Sequence, residues 1–162
     1  MTIQRRLARS GFTLTRDYPA SIERIWGAFA DEKQSLCWWG GGNSMEAHEW
    51  AFDFRVGGRD IAEGKFHNGP VSRYEAVYTD IVEYNRIVTT YDMWLDGVHA
   101  STSVASLEFD PIAEGTRFTH VEHGVFFDQF WADSGVREKG TRGLLEALGN
   151  YLALGTQREG RR

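Results

Sequence analysis

The sequence predicts an α+β protein in which a curved antiparallel sheet wraps around one long C-terminal helix. Residues 134–154 form the only uninterrupted helical pattern longer than five turns. Most of the upstream chain alternates apolar and polar residues with the period of strands. Turn signals join these strands as hairpins, so neighbouring strands are expected to pair antiparallel. Helices and strands that segregate along the chain in this way are typical of an α+β layout.

The C-terminal helix carries a predicted apolar stripe. At about 100° per residue, the stripe contains Val136, Gly140, Gly143, Ala147 and Leu154. Bulky residues widen it on one side: Leu144, Leu145, Leu148, Tyr151 and Leu152. Because an interior glycine costs about 1 kcal/mol relative to alanine, Gly140 and Gly143 predict a close approach to another element. We expect the bulky C-terminal half to seal the core and the small N-terminal half, flanked by Arg137 and Thr141, to roof a cavity. Tight packing on the sheet backbone is the alternative.

The first part of the chain predicts a strand followed by short helices. Residues 12–18 alternate as a half-buried strand does. Ser21 can cap a helix over residues 22–29, whose apolar residues repeat at i, i+3, i+4 and i+7. Another turn or two is expected over residues 35–39. The glycines at 40–42 then interrupt regular structure.

The middle of the chain predicts a meander of strands. Gly57-Gly58 and Asp96-Gly97 are turn signals, and a bulge is expected near Asp80. Arg55 and Arg59 are expected to pair with carboxylates such as Asp53 or Glu63. The predicted strands cover residues 50–56, 59–67, 71–82, 87–93, 98–109 and 116–121.

Composition predicts one soluble domain, residues 1–162, with an ordered core of about residues 12–154. Hydrophobic residues make up 41% and charged residues 25%, which is ordinary for a globular protein. The net charge of −5 argues against nucleic acid as a partner. No run has the length of a signal peptide or of a membrane span. The lone Cys37, interpreted as a small buried thiol, excludes an intrachain disulfide, and we expect a cytoplasmic protein.

Several short stretches together resemble a known superfamily. They are Trp26, Trp38-Trp39, residues 53–59, residues 115–119 and residues 140–145 with Leu148. In this order and spacing the chain resembles the START-like (SRPBCC) superfamily, in its branch related to the activator of the heat-shock protein 90 ATPase. The resemblance implies a helix-grip fold, with the sheet gripping the C-terminal helix around a cavity.

The same resemblance leaves function open. The fold serves lipid carriers, polyketide cyclases, resistance proteins and chaperone activators alike. The eukaryotic chaperone activators of this branch carry an additional N-terminal domain, for which this sequence leaves no room. Chaperone activation is therefore not expected from the family name alone.

Aromatic residues supply the candidate binding site. Six rings lie in two segments read as irregular, which border the cavity mouth in the resembled fold: Trp38, Trp39, Phe126, Phe127, Phe130 and Trp131. Rings on loops indicate a pocket entrance or an oligomer contact. Other candidate ligand-binding residues are Phe54, Tyr78, Tyr91, Phe118, His120, Gly140 and Gly143.

One histidine and one glutamate are candidates for acid–base chemistry. Strand alternation places His120 and Glu122 on one face and His123 on the other, so these three residues cannot converge on a metal ion. No metal or cofactor is expected. If the protein is an enzyme, His120 is the predicted proton-transfer residue and Glu122 orients it.

The leading functional hypothesis is a small-molecule-binding protein whose apolar cavity takes a hydrophobic or aromatic ligand. One alternative is a cyclase- or hydrolase-type enzyme that uses the same cavity. The other is a protein-interaction or chaperone-associated module, in which the aromatic loops form a homodimer face or contact a chaperone. The expected partner is a hydrophobic small molecule, and the interaction alternative adds a second copy of the chain.

Overall fold

Seven strands form one antiparallel sheet in the order β1-β7-β6-β5-β4-β3-β2 in the computed structural model, which describes residues 4–39 and 45–159. The strands are β1 (Leu7–Tyr18), β2 (Met45–Phe52), β3 (Arg59–Phe66), β4 (Val71–Val82), β5 (Arg86–Leu95), β6 (Val98–Ile112) and β7 (Gly115–Phe127). The helices are α1 (Ile22–Ala30), α2 (Glu32–Ser35) and α3 (Ser134–Glu159), and a 3₁₀ segment (Asp128–Asp133) precedes α3. The curved sheet and the long α3 make up the predicted helix-grip α+β fold.

Side-chain caps delimit the first two helices. Ser21 accepts a hydrogen bond from the backbone N–H of Arg24, as the sequence predicts for the start of α1. Asp31 ends α1 and also caps α2, because its carboxylate accepts from the backbone N–H groups of Lys33 and Gln34. Asp31 therefore marks the junction between two helices. The predicted glycine run at 40–42 lies outside the described residues.

The segment after β2 is a tight turn rather than a continued strand. β2 ends at Phe52, whereas the sequence predicts a strand to residue 56. The backbone N–H of Gly58 donates to the carbonyl of Arg55 at 2.8 Å. A Cβ atom at Gly58 would lie 2.0 Å from the carbonyl oxygen of Asp53, so only glycine fits there. This turn leads the chain back into β3.

The long strands of the meander largely match their predictions. The bulge expected near Asp80 is present, since the β4–β5 register shifts between Tyr78 and Asp80. β7 extends to Phe127, beyond the predicted end at residue 121. The prediction that Phe126 and Phe127 lie in an irregular segment is therefore wrong. Both are strand residues, and they point to opposite faces of the sheet.

The main core lies between the sheet, α1 and the C-terminal half of α3. Phe109 and Phe118 are almost fully buried, and Phe29 of α1 packs against both with ring centroids 5.4 Å apart. From α3, Leu145 and Leu148 are at most 3% exposed. The C-terminal half of α3 therefore seals the core, as its bulky residues predict.

The buried face of α3 is rotated from the predicted stripe. Val136 and Leu154 are 62% and 60% exposed, whereas Thr141 and Leu148 are buried. A Cβ atom added at Gly140 or Gly143 would meet no atom within 4 Å, so the predicted close approach at these glycines is wrong. The close approach occurs instead at Gly149, where an added Cβ would lie 3.1 Å from Cε1 of Tyr18.

The structure also tests the predictions made for Cys37, for the arginine–carboxylate pairs and for a membrane span. Cys37 is exposed rather than buried, and its thiol lies 3.3 Å from the carbonyl of Lys33. Arg55 pairs with Asp53 at 2.8 Å, as expected. Glu63 pairs with Arg73 at 2.9 Å. Across the described residues, no helix is both long enough and apolar enough to span a membrane.

Candidate functional site

A cavity of about 640 Å³ lies between the inner face of the sheet and the N-terminal half of α3. The sheet leaves space for the cavity because short side chains face inward at its middle. Thr89 of β5 and Ala105 of β6 are paired there, and both line the cavity. Part of its roof is thin because α3 places the small Gly140 and Thr141 over this space, between the larger Arg137 and Leu144. The cavity thus lies beside the main core, where small side chains on the sheet and on α3 face each other.

The structure brings nine of the residues predicted to bind ligand to this cavity. They are Trp38, Trp39, Phe54, Tyr78, Tyr91, Phe118, His120, Phe126 and Gly140. Those on strands share the inner face, since facing residues of paired strands point the same way. Trp38 also anchors α2, because its indole N–H donates to the carbonyl of Ala28 at 2.9 Å.

Four predicted residues lie away from the cavity lining. Phe127 points to the outer face of β7, where its ring contacts His99 at 4.8 Å. Trp131 is 45% exposed, and the Arg6 guanidinium lies 4.8 Å from its ring centroid. Phe130 is half-buried in the 3₁₀ segment, and Gly143 lines a separate groove beside Leu36. These rings form no single exposed face with Phe126, which is 2% exposed.

A buried polar cluster occupies the wall formed by β5, β7 and α3. The Tyr91 hydroxyl donates to Oε2 of Glu122 at 2.7 Å, and the Arg137 guanidinium donates to the same hydroxyl at 2.7 Å. Arg137 also donates to Oγ of Ser101 at 2.8 Å. Glu122 is only 4% exposed, so its charge is stabilised by these partners rather than by water. Sequence reasoning placed Arg137 on the flank of the roof and missed this role.

His120 extends the cluster along β7. Its Nε2 lies 3.2 Å from Oε1 of Glu122, so the two residues predicted to share a face are in contact. The imidazole stacks on the ring of Phe12, with centroids 5.9 Å apart. His123 is exposed on the opposite face. Among the described residues, no group of three His, Cys, Asp or Glu side chains is arranged to hold a metal ion.

The tyrosines of the wall remain protonated. Burial, followed by the nearby Glu122 carboxylate, raises the pKa of Tyr91 well above its ordinary range. Burial also raises the pKa of Tyr74 strongly. The Tyr74 ring packs against Trp39 and Tyr91, both at 5.0 Å, and so joins the loop after α2 to the sheet. Tyr74 lines the cavity and was missed by the sequence analysis.

A second polar position lies on β3. Asp60 lines the cavity, and its Oδ2 accepts a 3.3 Å hydrogen bond from the Tyr78 hydroxyl. Its Oδ1 is buried and has no hydrogen-bond partner among the described residues. Burial raises the pKa of Asp60 to about 6. Asp60 was not among the residues predicted from the sequence, although period-2 alternation with the inward Ala62 could have identified its face.

The fold and the cavity together define a START-like domain. The family model described as "Activator of Hsp90 ATPase homolog 1-like protein" matches residues 19–153, and the chain belongs to this family. Membership supports a ligand-binding domain in general, without specifying the ligand.

Solved structures agree with this assignment. The chain is similar to the Mll3558 protein from Rhizobium loti, with 40% identity, a TM-score of 0.83, and coverage of 90% of this chain and 99% of that chain. It is also similar to an uncharacterized protein from Rhizobium leguminosarum, with 29% identity, a TM-score of 0.87, and coverage of 93% and 98%. An AHSA1-like protein from Aeromonas hydrophila shares the fold, at 17% identity, a TM-score of 0.62, and coverage of 90% and 94%. No curated protein matches the chain.

Proposed function

We propose that this protein binds one apolar, aromatic small molecule in the cavity between the sheet and α3. The observation that carries the proposal is a space of about 640 Å³ with predominantly aromatic and aliphatic walls. Small-molecule sites typically have volumes of about 300–1,000 Å³ and combine apolar walls with a few placed polar groups. The cavity fits both parts of that description.

The arrangement of rings favours a flat ligand. Phe54 and Tyr78 meet edge to face at 5.1 Å, and Tyr74 and Tyr91 are tilted at 5.0 Å. These rings present both faces and edges to the space, and aromatic ligands pack favourably against either. Asp60 and Tyr91 both align with Ala76 in the strand register, two strands or about 10 Å apart. A ligand with two fused rings is comparable in length to this backbone separation.

Native mass spectrometry tests the stoichiometry that this proposal requires. We expect the protein to retain one molecule of the neutral probe N-phenyl-1-naphthylamine per chain at saturation. A single cavity predicts that retention stops at one, whereas scattered surface binding gives a ladder of adducts. Complete absence of retained probe would contradict the proposed function. The same spectra report the number of chains in the native particle.

An enzyme that uses the same cavity is the second candidate, and two observations favour it. The 3.2 Å contact between His120 and Glu122 supplies an oriented proton acceptor on the cavity wall. Asp60 adds a buried carboxyl whose pKa is raised to about 6, and such groups are common in active sites. In this version of the function, His120 takes the proton and Glu122 holds its ring.

Turnover of a panel of aromatic esters and polyketide-like substrates tests the second candidate. His120→Gln should abolish turnover and retain probe binding. His123→Gln is the matched control, because His123 is exposed on the opposite face of the same strand. If the unmodified protein turns over no panel member, the binding function stands ahead of the enzyme.

A further inference from the structure

Asp60 presents a buried acceptor atom that none of the described residues uses. Tyr78 donates to Oδ2 at 3.3 Å, whereas Oδ1 is buried without a partner among the described residues. Asp60 lines the cavity from the inner face of β3. Leaving a buried acceptor unpaired is costly, so such atoms in folded proteins are usually matched by another group. A ligand in the cavity is positioned to supply that group.

The charged groups around the cavity disfavour an anionic ligand. Three carboxylates line it, those of Asp60, Glu122 and Asp133, against one guanidinium, that of Arg137. The Arg137 guanidinium already has protein partners, because it donates hydrogen bonds to the Tyr91 hydroxyl at 2.7 Å and to Oγ of Ser101 at 2.8 Å. Within the described lining, no other lysine or arginine is present to receive a carboxylate or phosphate.

The burial of Asp60 also favours a cationic or hydrogen-bond-donating ligand over an anionic one. Desolvation is the main cause of its raised pKa, and the Tyr78 hydrogen bond opposes it only in part. A cation or a strong hydrogen-bond donor beside Oδ1 would stabilise the ionised form and remove much of this penalty.

From this geometry we propose that the cavity selects aromatic ligands whose hydrogen-bond donor, either an ammonium or a phenolic hydroxyl group, binds Oδ1 of Asp60. The same carboxylate discriminates against aromatic carboxylates. The proposal rests on the proposed function and specifies its ligand class. The apolar body of the ligand packs against Phe54 and Tyr78, which lie together beside Asp60.

Displacement of N-phenyl-1-naphthylamine by four matched probes at pH 8 tests the selection. They are 2-naphthylmethylammonium, 2-naphthol, naphthalene and 2-naphthoate. The ammonium and the phenol should bind more tightly than naphthalene by about tenfold or more, which is the lower end of the effect expected for a hydrogen bond to a charged group. The carboxylate should bind more weakly than naphthalene. This ranking is measured on the unmodified protein and does not depend on any variant folding.

Two variants then test whether the Asp60 carboxylate causes this order of probe affinities. Asp60→Asn removes the charge with little change of shape, and it should abolish the roughly tenfold advantage of the ammonium probe. Asp53→Asn removes the same charge from an exposed position just after β2 and should leave the ranking unchanged. If naphthalene, the ammonium and the carboxylate bind equally, or if Asp60→Asn keeps the ranking, the selection is overturned while the binding function stands. If N-phenyl-1-naphthylamine itself does not bind, both proposals fail.

Discussion

The hydroxyl of Tyr18, at the end of β1, donates a 2.6 Å hydrogen bond to the backbone carbonyl of Leu145 in the middle of α3. The Tyr18 ring then lies against Gly149, one turn further along the helix. This contact fixes α3 against the edge of the sheet, and it accounts for glycine at a helical position where any Cβ would be crowded. Burial raises the pKa of Tyr18 to about 12, so the hydroxyl remains a donor at neutral pH.

The glycines of α3 should respond differently to alanine. Gly143→Ala should stabilise the protein by about 1 kcal/mol, because a Cβ meets nothing within 4 Å and alanine favours the helix. Gly149→Ala should give no such gain, because its Cβ would lie 3.1 Å from Tyr18. Urea denaturation measures both free energies of unfolding. Equal gains would show that Tyr18 does not restrict Gly149.

The faces of α3 predict a large difference between two other variants. Leu148→Ala should destabilise the protein by about 2–5 kcal/mol, because Leu148 is fully buried in the main core. Arg142→Ala should cost less than about 0.5 kcal/mol, because it loses only an exposed pairing with Glu138. Thermal unfolding compares the two, and equal melting temperatures would mean that the helix faces are wrongly assigned.

Asp60 should make stability depend on pH in a defined direction. Its folded-state pKa of about 6 lies above the ordinary value of 3.8, so folding favours the protonated form. This contribution to stability is full below about pH 4 and is lost as the pH rises through 6. A pKa difference of this size corresponds to about 3 kcal/mol. Asp60→Asn should therefore gain stability relative to the unmodified protein between pH 4 and pH 8, by up to that amount.

Urea denaturation across this pH range measures the gain, with Asp53→Asn as the control. Asp53→Asn should show no comparable gain, because the Asp53 side chain is half exposed and removing its charge only weakens an exposed ion pair with Arg55. A gain from Asp60→Asn that is the same at pH 4 and pH 8 would mean that Asp60 is not desolvated in the folded protein.

The polar cluster should behave as one unit. Arg137→Met and Glu122→Gln should each destabilise the protein by about 2 kcal/mol, because each weakens a buried, charge-assisted network centred on the Tyr91 hydroxyl. The double variant should cost less than the two combined, with a coupling of about 1 kcal/mol or more. Additive effects in this double-mutant cycle would show that Arg137 and Glu122 act independently.

Much of the fold was predictable because periodicity reports which side of an element is apolar. The strand alternation and the turn at Gly57-Gly58 are local signals, and the structure preserves them. The shared face of His120 and Glu122 follows from the same alternation. Local patterns of this kind survive because each strand has one buried and one exposed side.

The site was harder to predict because buried polar residues break the apolar pattern. On α3, Thr141 is buried and Arg137 joins the buried polar cluster, whereas Val136 is 62% exposed. A stripe drawn from apolar residues alone therefore rotates toward Val136. Asp60 was not predicted as a cavity residue because a carboxylate on a strand is usually exposed to solvent. The strand register aligns Asp60 with Tyr91 through Ala76, and this pairing of distant positions is not visible in the local pattern.

The most direct test of the binding cavity is a fluorescence titration of N-phenyl-1-naphthylamine against two neighbouring variants of β6. Ala105 faces the cavity and Val104 faces solvent at 42% exposure, so phenylalanine at either site adds the same ring type to opposite sides of the sheet. If the probe occupies the cavity, Ala105→Phe weakens its binding by about tenfold or more, as loss of apolar contacts predicts, and Val104→Phe leaves it unchanged. Equal probe affinities in the two folded variants would contradict binding in this cavity.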